Sequence, residues 1–456
     1  MINIPPTPAT PQTTGRYLVA LEDDDISAGV QAVENATGVS EFAHSGDFED
    51  RAIAAEELAS ENSIMLDELG VMVLSLDQDQ VRSLNTATVS EHLPLSMEPE
   101  RVIYALPESD PFRRMLPAEP AAIRSLAAGK SINVSLDYLK GYRDAIELLI
   151  GHLSSEDAGF RRADEECPDI NTPIEKITWG LQRTRVDTST YTGAGIRVAV
   201  LDTGMDLEHP DFANRSVQSK SFIDGETAQD GNGHGTHCIG TACGGQGETS
   251  PRYGVASECE IYAGKVLSDA GAGSDGGILA GINWAIANGC SIISMSLGAR
   301  VQPGQGFSRV YERVGKRSLR RGTLIIAAAG NDSWRDNDII QPVSHPANCP
   351  SIMAIGALNE ALQVAQFSNG GLNARGGQID LIAPGVDIFS AWPMPERYYT
   401  ISGTSMATPH VAGIAALFAQ ATGAKGSELW TELVQAAQRL PLPSRDVGSG
   451  LAQAFQ

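Results

Sequence analysis

Basic residues are scarce in this chain. Its 456 residues carry 33 Lys and Arg against 56 Asp and Glu, a formal net charge of −23. So acidic a surface repels phosphate backbones and argues against nucleic acid as a partner. Cysteine is scarce too. Six, at positions 167, 238, 243, 259, 290 and 349, are not the dense disulfide framework of a small secreted scaffold. No stretch approaches the roughly 20 consecutive apolar residues needed to span a bilayer, so no membrane partner is expected. No basic segment followed by an apolar one precedes the first module, so no signal peptide is visible, which leaves a cytoplasmic location or a non-Sec export route. There is no long internal repeat. The one low-complexity segment is the Pro/Thr-rich start, Pro5 to Thr14, and residues 1–15 are expected to be a disordered tail.

What is present is length enough for a substantial core in two or three units, 42% apolar residues and 47 glycines. Three blocks concentrate chemistry. Val198-Ala199-Val200-Leu201-Asp202-Thr203-Gly204 is a short apolar run ending in a carboxylate, the pattern of a buried parallel strand. Gly231-Asn232-Gly233-His234-Gly235-Thr236-His237 crowds glycines around an imidazole just before an apolar stretch. Gly403-Thr404-Ser405-Met406-Ala407-Thr408-Pro409-His410 presents a hydroxyl at a helix start, where the helix N-terminus favours negative charge. Taken singly, these read as a strand-end turn, a loop histidine and a helix cap. In chain order they give Asp, His, Ser, one of the orders of a nucleophilic triad.

The three blocks together resemble the subtilisin-like serine proteases, the subtilase family, from about Trp179 to the C-terminus. A Ser hydroxyl is a weak nucleophile until a base takes its proton, and neutral imidazole does that near pH 7. Ser405 is therefore expected as nucleophile, His234 as general base and then acid, and Asp202 as the carboxylate that orients it. His237 and His410 each lie about a turn farther along and are expected to be structural. The resemblance implies an α/β fold: a mostly parallel sheet with helices on both faces over 172–456. It also implies that Asn331, ending the strand-like Leu324-Ile325-Ile326-Ala327-Ala328-Ala329-Gly330, donates its amide to the oxyanion. Gly271, Ala272 and Gly273 resemble one substrate-binding edge, and Ser296, Leu297 and Gly298 the border of the pocket for the residue before the cut. Polypeptide substrates would pair with such edges as an added strand.

Residues 1–105 hold nineteen acidic and four basic side chains, a net charge of −15. Strands over 17–21, 71–76 and 101–105, with helices over 26–35 and 78–85, suggest a small α+β ferredoxin-like unit over 16–106. Its order and position resemble the inhibitor-type propeptides of subtilases, a partner carried in the same chain. Tyr104-Ala105-Leu106 ends in an apolar side chain suited to the primary pocket. Glu41 to Asp67 reads as an insertion with helical character. Residues 107–171 read as a linker or extra helical segment, with helical spacing over 136–150 and Arg161-Arg162 as a visible cleavage candidate. Asp380 resembles a calcium-ligating Asp of proteinase-K-like enzymes, partnered there by carbonyls matching Pro350 and Ile352; calcium would be structural, with no catalytic cofactor. Cys238 resembles the buried thiol of the same branch. A second reading, a non-catalytic interaction protein on a subtilase scaffold, is disfavoured by the complete Asp202, His234, Asn331 and Ser405 set.

Overall fold

The computed structural model describes residues 12–22, 26–90, 95–106, 176–247 and 249–456. The helical spacing over 136–150 and the Arg161-Arg162 pair lie outside them. The N-terminal module runs β1 (Thr13–Leu21), α1 (Ile26–Thr37), β2 (Ser63–Leu66), β3 (Val71–Leu74), α2 (Gln78–Ser90) and β4 (Leu95–Ala105). Its strands lie in the order β4-β1-β3-β2, each neighbouring pair antiparallel, which is the arrangement of a split βαβ unit.

Two parts of this module differ from the sequence reading. β1 begins at Thr13, inside the expected tail; Thr13 pairs with Arg101, and the Gln12 carbonyl accepts from the Val102 amide at 2.8 Å. Cross-strand pairing orders a segment whose composition alone would not. Glu41 to Asp67 contains a short helix, Ala55–Ser60, but its end is β2. Four residues are too few to display a period, and β2 is defined by its register against β3, Ile64 opposite Val73.

β1 is apolar on both faces, and both are covered. Val19 and Leu21 pack with Val33 of α1, Leu84 of α2, and Met72 and Leu74. Leu18 and Ala20 turn the other way, with Ile64, Leu66, Val71 and Val73, into a core shared with the C-terminal part.

That part is built on β5 (Arg197–Asp202), β6 (Val217–Ser221), β7 (Glu260–Lys265), β8 (Ile292–Met295), β9 (Leu324–Ala328), β10 (Met353–Leu358) and β11 (Leu381–Pro384). Their order is β11-β10-β9-β8-β5-β7-β6, all parallel. Parallel strands buried on both sides need continuous apolar runs, and these have them. Val198, Val200, Ile292 and Ile326 face one core, which holds α3 (His234–Cys243) and α6 (Thr404–Thr422). Ala199, Leu201, Ile293 and Ile325 face the other, which holds α4 (Asp275–Ala287) and α5 (Arg309–Arg320). This is the expected α/β architecture. No helix of the described residues is long and apolar enough to cross a membrane.

The sheet of the N-terminal module lies on α4 and α5. Glu100, fully buried and held by Arg16 at 2.8 and 2.9 Å, accepts the Gly276 amide at 2.9 Å in the first turn of α4. Glu98 accepts the Arg309 amide at 2.6 Å at the start of α5. Carboxylates at helix N-termini satisfy orphan amides and complement the dipole. Glu68 adds ion pairs to Arg51 at 2.6 Å and to Arg321.

Candidate active site

Each side chain expected to carry the chemistry stands where a strand or helix ends. Asp202 closes β5, and its Oδ1 accepts the Thr203 amide at 2.8 Å. His234 opens α3 behind Gly233, whose φ of 105° turns the chain into the helix; a Cβ there would meet the Trp392 ring at 2.3 Å. Ser405 is the second residue of α6. Asn331 follows Gly330, which has φ 107° and leaves no room for a Cβ against Asn369 and Ser344.

The structure brings these groups together in a nearly water-free cluster, with Asp202, His234, Asn331 and Ser405 all at most 2% exposed. His234 Nδ1 lies 2.7 Å from Asp202 Oδ1. His234 Nε2 is buried and has no hydrogen-bond partner among the described residues. The Ser405 hydroxyl donates to the Ser296 carbonyl at a long 3.4 Å. Cys238 joins the two halves: its thiol donates to the Ser405 carbonyl at 3.5 Å and lies 4.0 Å from His234 Nδ1. Burial works against a charged His234 imidazole, the Asp202 carboxylate outweighs it, and the pKa is raised. Burial pushes the Cys238 thiol up, so it stays neutral.

Asn331 is oriented rather than merely present. Its Oδ1 accepts both the amide of Thr404, at 2.9 Å, and its hydroxyl, at 2.8 Å. The amide nitrogen is thereby turned toward Gly403, where an added Cβ would sit 3.1 Å from Asn331 Nδ2 and 3.6 Å from the Ser405 nitrogen. Two donors converge there. His237 turns away, its Nε2 on the Ile388 carbonyl at 2.9 Å, and burial lowers its pKa to about 3. His410 bonds the Met406 carbonyl at 2.8 Å, with its pKa lowered by burial to about 4.

The two glycine-containing edges flank one strand, and that strand belongs to the N-terminal module. β4 pairs antiparallel with Ala272–Ser274 on one side, Ile103 opposite Gly273 and Tyr104 opposite Ala272. On the other side Ala105 lies opposite Leu297 and Tyr104 opposite Gly298. The Ala105 amide donates to the Gly271 carbonyl at 2.9 Å, and the Leu106 amide reaches the Ser296 carbonyl at 3.5 Å. The Ser296 carbonyl is therefore shared by Leu106 and Ser405. Leu106 is 3% exposed, its Cδ2 3.4 Å from where a Cβ of Gly298 would stand.

Asp380 lies beside the turn that contains Pro350 and Ile352. Its amide donates to the Ala354 carbonyl at 3.0 Å and its Oδ2 accepts the Ala354 amide at 2.7 Å. Among the described residues no cation pairs with it, and burial pushes its pKa up to about 7. Glu98 and Glu100, which bind the module to α4 and α5, were not singled out from the sequence; their spacing of two along an edge-facing strand was the available signal.

Comparison with known proteins agrees with this arrangement. The Peptidase_S8 family model, described as "Subtilase family", matches residues 193–450. M-protease of Shouchella clausii (strain KSM-K16) is 37% identical over 287 residues, covering 61% of this chain and 70% of that protein. Subtilisin of Bacillus pumilus is 42% identical over 229 residues, covering 50% and 78% respectively. The solved structure of Sphericase superposes with a TM-score of 0.54 at 33% identity, covering 62% of this chain and 99% of that one. A parallel sheet with Asp202, His234 and Ser405 gathered at its strand and helix ends, matched by the family over more than half its length, makes this chain a member of the subtilase family, a serine endopeptidase.

Proposed function

We propose that the chain hydrolyses peptide bonds through an acyl-enzyme on Ser405. With Nδ1–H held by Asp202, Nε2 is the basic nitrogen of His234. The Ser405 hydroxyl gives up only a long hydrogen bond when it turns from Ser296 to that nitrogen. As Oγ bonds the scissile carbonyl carbon, its proton passes to Nε2 and then to the departing amine; water repeats the sequence to free the acid. Asn331 Nδ2 and the Ser405 amide receive the negative charge that develops on the carbonyl oxygen.

We further propose that the N-terminal module holds the enzyme inactive. The observation that carries this reading is Val102 to Leu106 seated as a middle strand between both substrate edges, with Leu106 on the carbonyl that also holds Ser405. The strand lies where the residues before a substrate's scissile bond would lie. The next residue is Pro107, whose ring nitrogen carries no hydrogen and crowds the bond after Leu106. The separating cut is accordingly proposed within 107–171. The module would expose its Leu18, Ile64, Leu66 and Val71 face if made alone, so the test uses the full chain. Leu106→Asp, which forces a carboxylate into a buried pocket, is expected to speed labelling of Ser405 in uncut chain by a serine-directed fluorophosphonate about tenfold or more. Uncut parent protein labelled as fast as this variant would reduce the module to a bystander.

Asp380, with the carbonyls of Pro350 and Ile352, is proposed to hold a structural calcium ion, whose chemistry there is neutralisation of a buried carboxylate. The donor set fits, being a desolvated carboxylate with one amide donor on its side chain and, among the described residues, no cation partner. The sign of its pH effect follows from a folded pKa of about 7 against about 3.9 unfolded. The folded state binds this proton more tightly, so metal-free stability falls as pH rises from about 4 to about 7 and is level above. In a Ser405→Ala background at pH 8 with chelator, Asp380→Asn is therefore expected to melt above its parent. Added calcium should raise the parent's melting temperature and leave the Asn variant unmoved. A parent indifferent to calcium removes the site.

A further inference from the structure

We infer that this chain has a subsite for a basic side chain far upstream in the cleft, five residues before the residue that precedes the cut, built from Asp275 with His345. The inference rests on the proposed reading of Leu106 as occupying the place of a substrate's residue before the scissile bond.

Arg101 supplies the observation. It stands on β4 five residues before Leu106, on the same strand face as Ile103 and Ala105, both wholly buried against the C-terminal part. Its backbone amide donates to Asp275 Oδ2 at 2.9 Å, and its Nη1 lies 3.6 Å from the same oxygen. Asp275 is the first residue of α4 and is fully buried. Its Oδ1 lies 3.2 Å from His345 Nε2, which is itself 3.3 Å from Arg101 Nη1.

These receiving groups do not depend on the N-terminal module for their positions. The His345 backbone is fixed by two 2.9 Å hydrogen bonds to Ala299, directly after the Leu297–Gly298 edge. Its ring stands edge-on to Tyr311 at 4.6 Å and 84°, and the Tyr311 hydroxyl donates to the Asp275 carbonyl at 3.4 Å. What the module brings is the cation. Glu98, which also binds the guanidinium at 2.8 Å, belongs to the module and leaves with it. Burial and Arg101 both lower the His345 pKa while the strand is in place. When the strand leaves, Asp275 loses its guanidinium partner and keeps only His345 beside it, and a substrate guanidinium restores the contact that Arg101 supplied. Arg300 lines the small cavity beside Arg101 and His345 but makes no ion pair with Asp275 among the described residues.

A substrate pairing with the same two edges in the register of β4 therefore sets the side chain of its residue five positions before the cut-site residue against Asp275. Arg fits best, because one nitrogen can face the carboxylate while the planar guanidinium lies beside the neutral imidazole.

The test uses the full chain, expressed whole and allowed to process itself until activity is constant. Three N-acetylated p-nitroanilides are compared: Arg-Val-Ile-Tyr-Ala-Leu, and the same peptide beginning with Ala or with Glu. The Arg peptide is expected to exceed the Ala peptide about tenfold in kcat/KM, with the Glu peptide lowest. In Asp275→Asn the Arg-to-Ala ratio should fall to near one. The ratio is internal to each protein, and the parent series decides even if that variant folds poorly. Arg and Ala peptides within about twofold on the parent would overturn the subsite while leaving the cleft reading intact, as would a ratio unchanged in Asp275→Asn. Failure of all three peptides to be cut after Leu, with an unfolded protein still digested, would overturn the register itself and the subsite with it.

Discussion

Full-length chain carrying Ser405→Ala is expected to lose about 10⁶-fold in kcat on a peptide p-nitroanilide; that scale is the one measured in subtilisin itself, a member of the same family. The substitution removes one oxygen whose only protein hydrogen bond among the described residues is a 3.4 Å contact to Ser296. The unfolding temperature should accordingly stay within about 2 °C of the parent's, and the loss is chemical rather than structural. No neighbouring group takes over. The nearest alternative nucleophile, Cys238, is buried, committed to the Ser405 carbonyl, and held neutral by its surroundings. His234 would still find its base nitrogen but nothing to deprotonate except water. Steady-state kinetics decide the matter, with the parent quantified by active-site titration and the variant by absorbance after its N-terminal module has been removed by an added protease; a variant retaining kcat within about tenfold would reject Ser405 as nucleophile.

Asn331 should show a smaller effect with a different kinetic form. Asn331→Leu is expected to lower kcat by about 10²–10³ with KM little changed, again the scale known from subtilisin. Its amide acts on charge that appears only as the tetrahedral intermediate forms, so ground-state binding does not feel it. Leu also strips the acceptor from the Thr404 amide and hydroxyl, and two buried donors left without partners cost about 1–3 kcal/mol each. Asn331→Asp separates the two consequences: it keeps the acceptor for Thr404 and replaces the donor with negative charge. Its thermal stability should lie above that of the Leu variant while its kcat is at least as low. A change confined to KM in both variants would contradict an oxyanion role.

The local setting of each candidate residue was legible in the sequence because each part is built locally. Asp202 ends an apolar run, His234 needs Gly233 at positive φ, and Asn331 needs Gly330 likewise. The parallel sheet was legible for the same reason: runs such as Leu324 to Ala328 are apolar at every position and so must be covered on both sides. β2 was not legible, since Ser63 to Leu66 is too short to show a period and is defined by β3 beside it. The start of β1 at Thr13 was hidden in the same way, by a composition that reads as tail and a pairing that lies in β4.

By itself the sequence determined on what backbone the candidate groups stand, because strand ends, glycine turns and helix starts are set by residues within a few positions of one another. Only the tertiary structure decided what occupies the cleft and what lies at its far end. Arg101, Asp275 and His345 are separated by 174 and 70 positions, and no local pattern relates them. They meet because β1 and β4 carry apolar side chains on both faces, and the second face is buried only against α4 and α5. Docking that face carries the strand into the cleft, where Leu106 meets the carbonyl of Ser296 and Arg101 meets the Asp275 carboxylate beside His345.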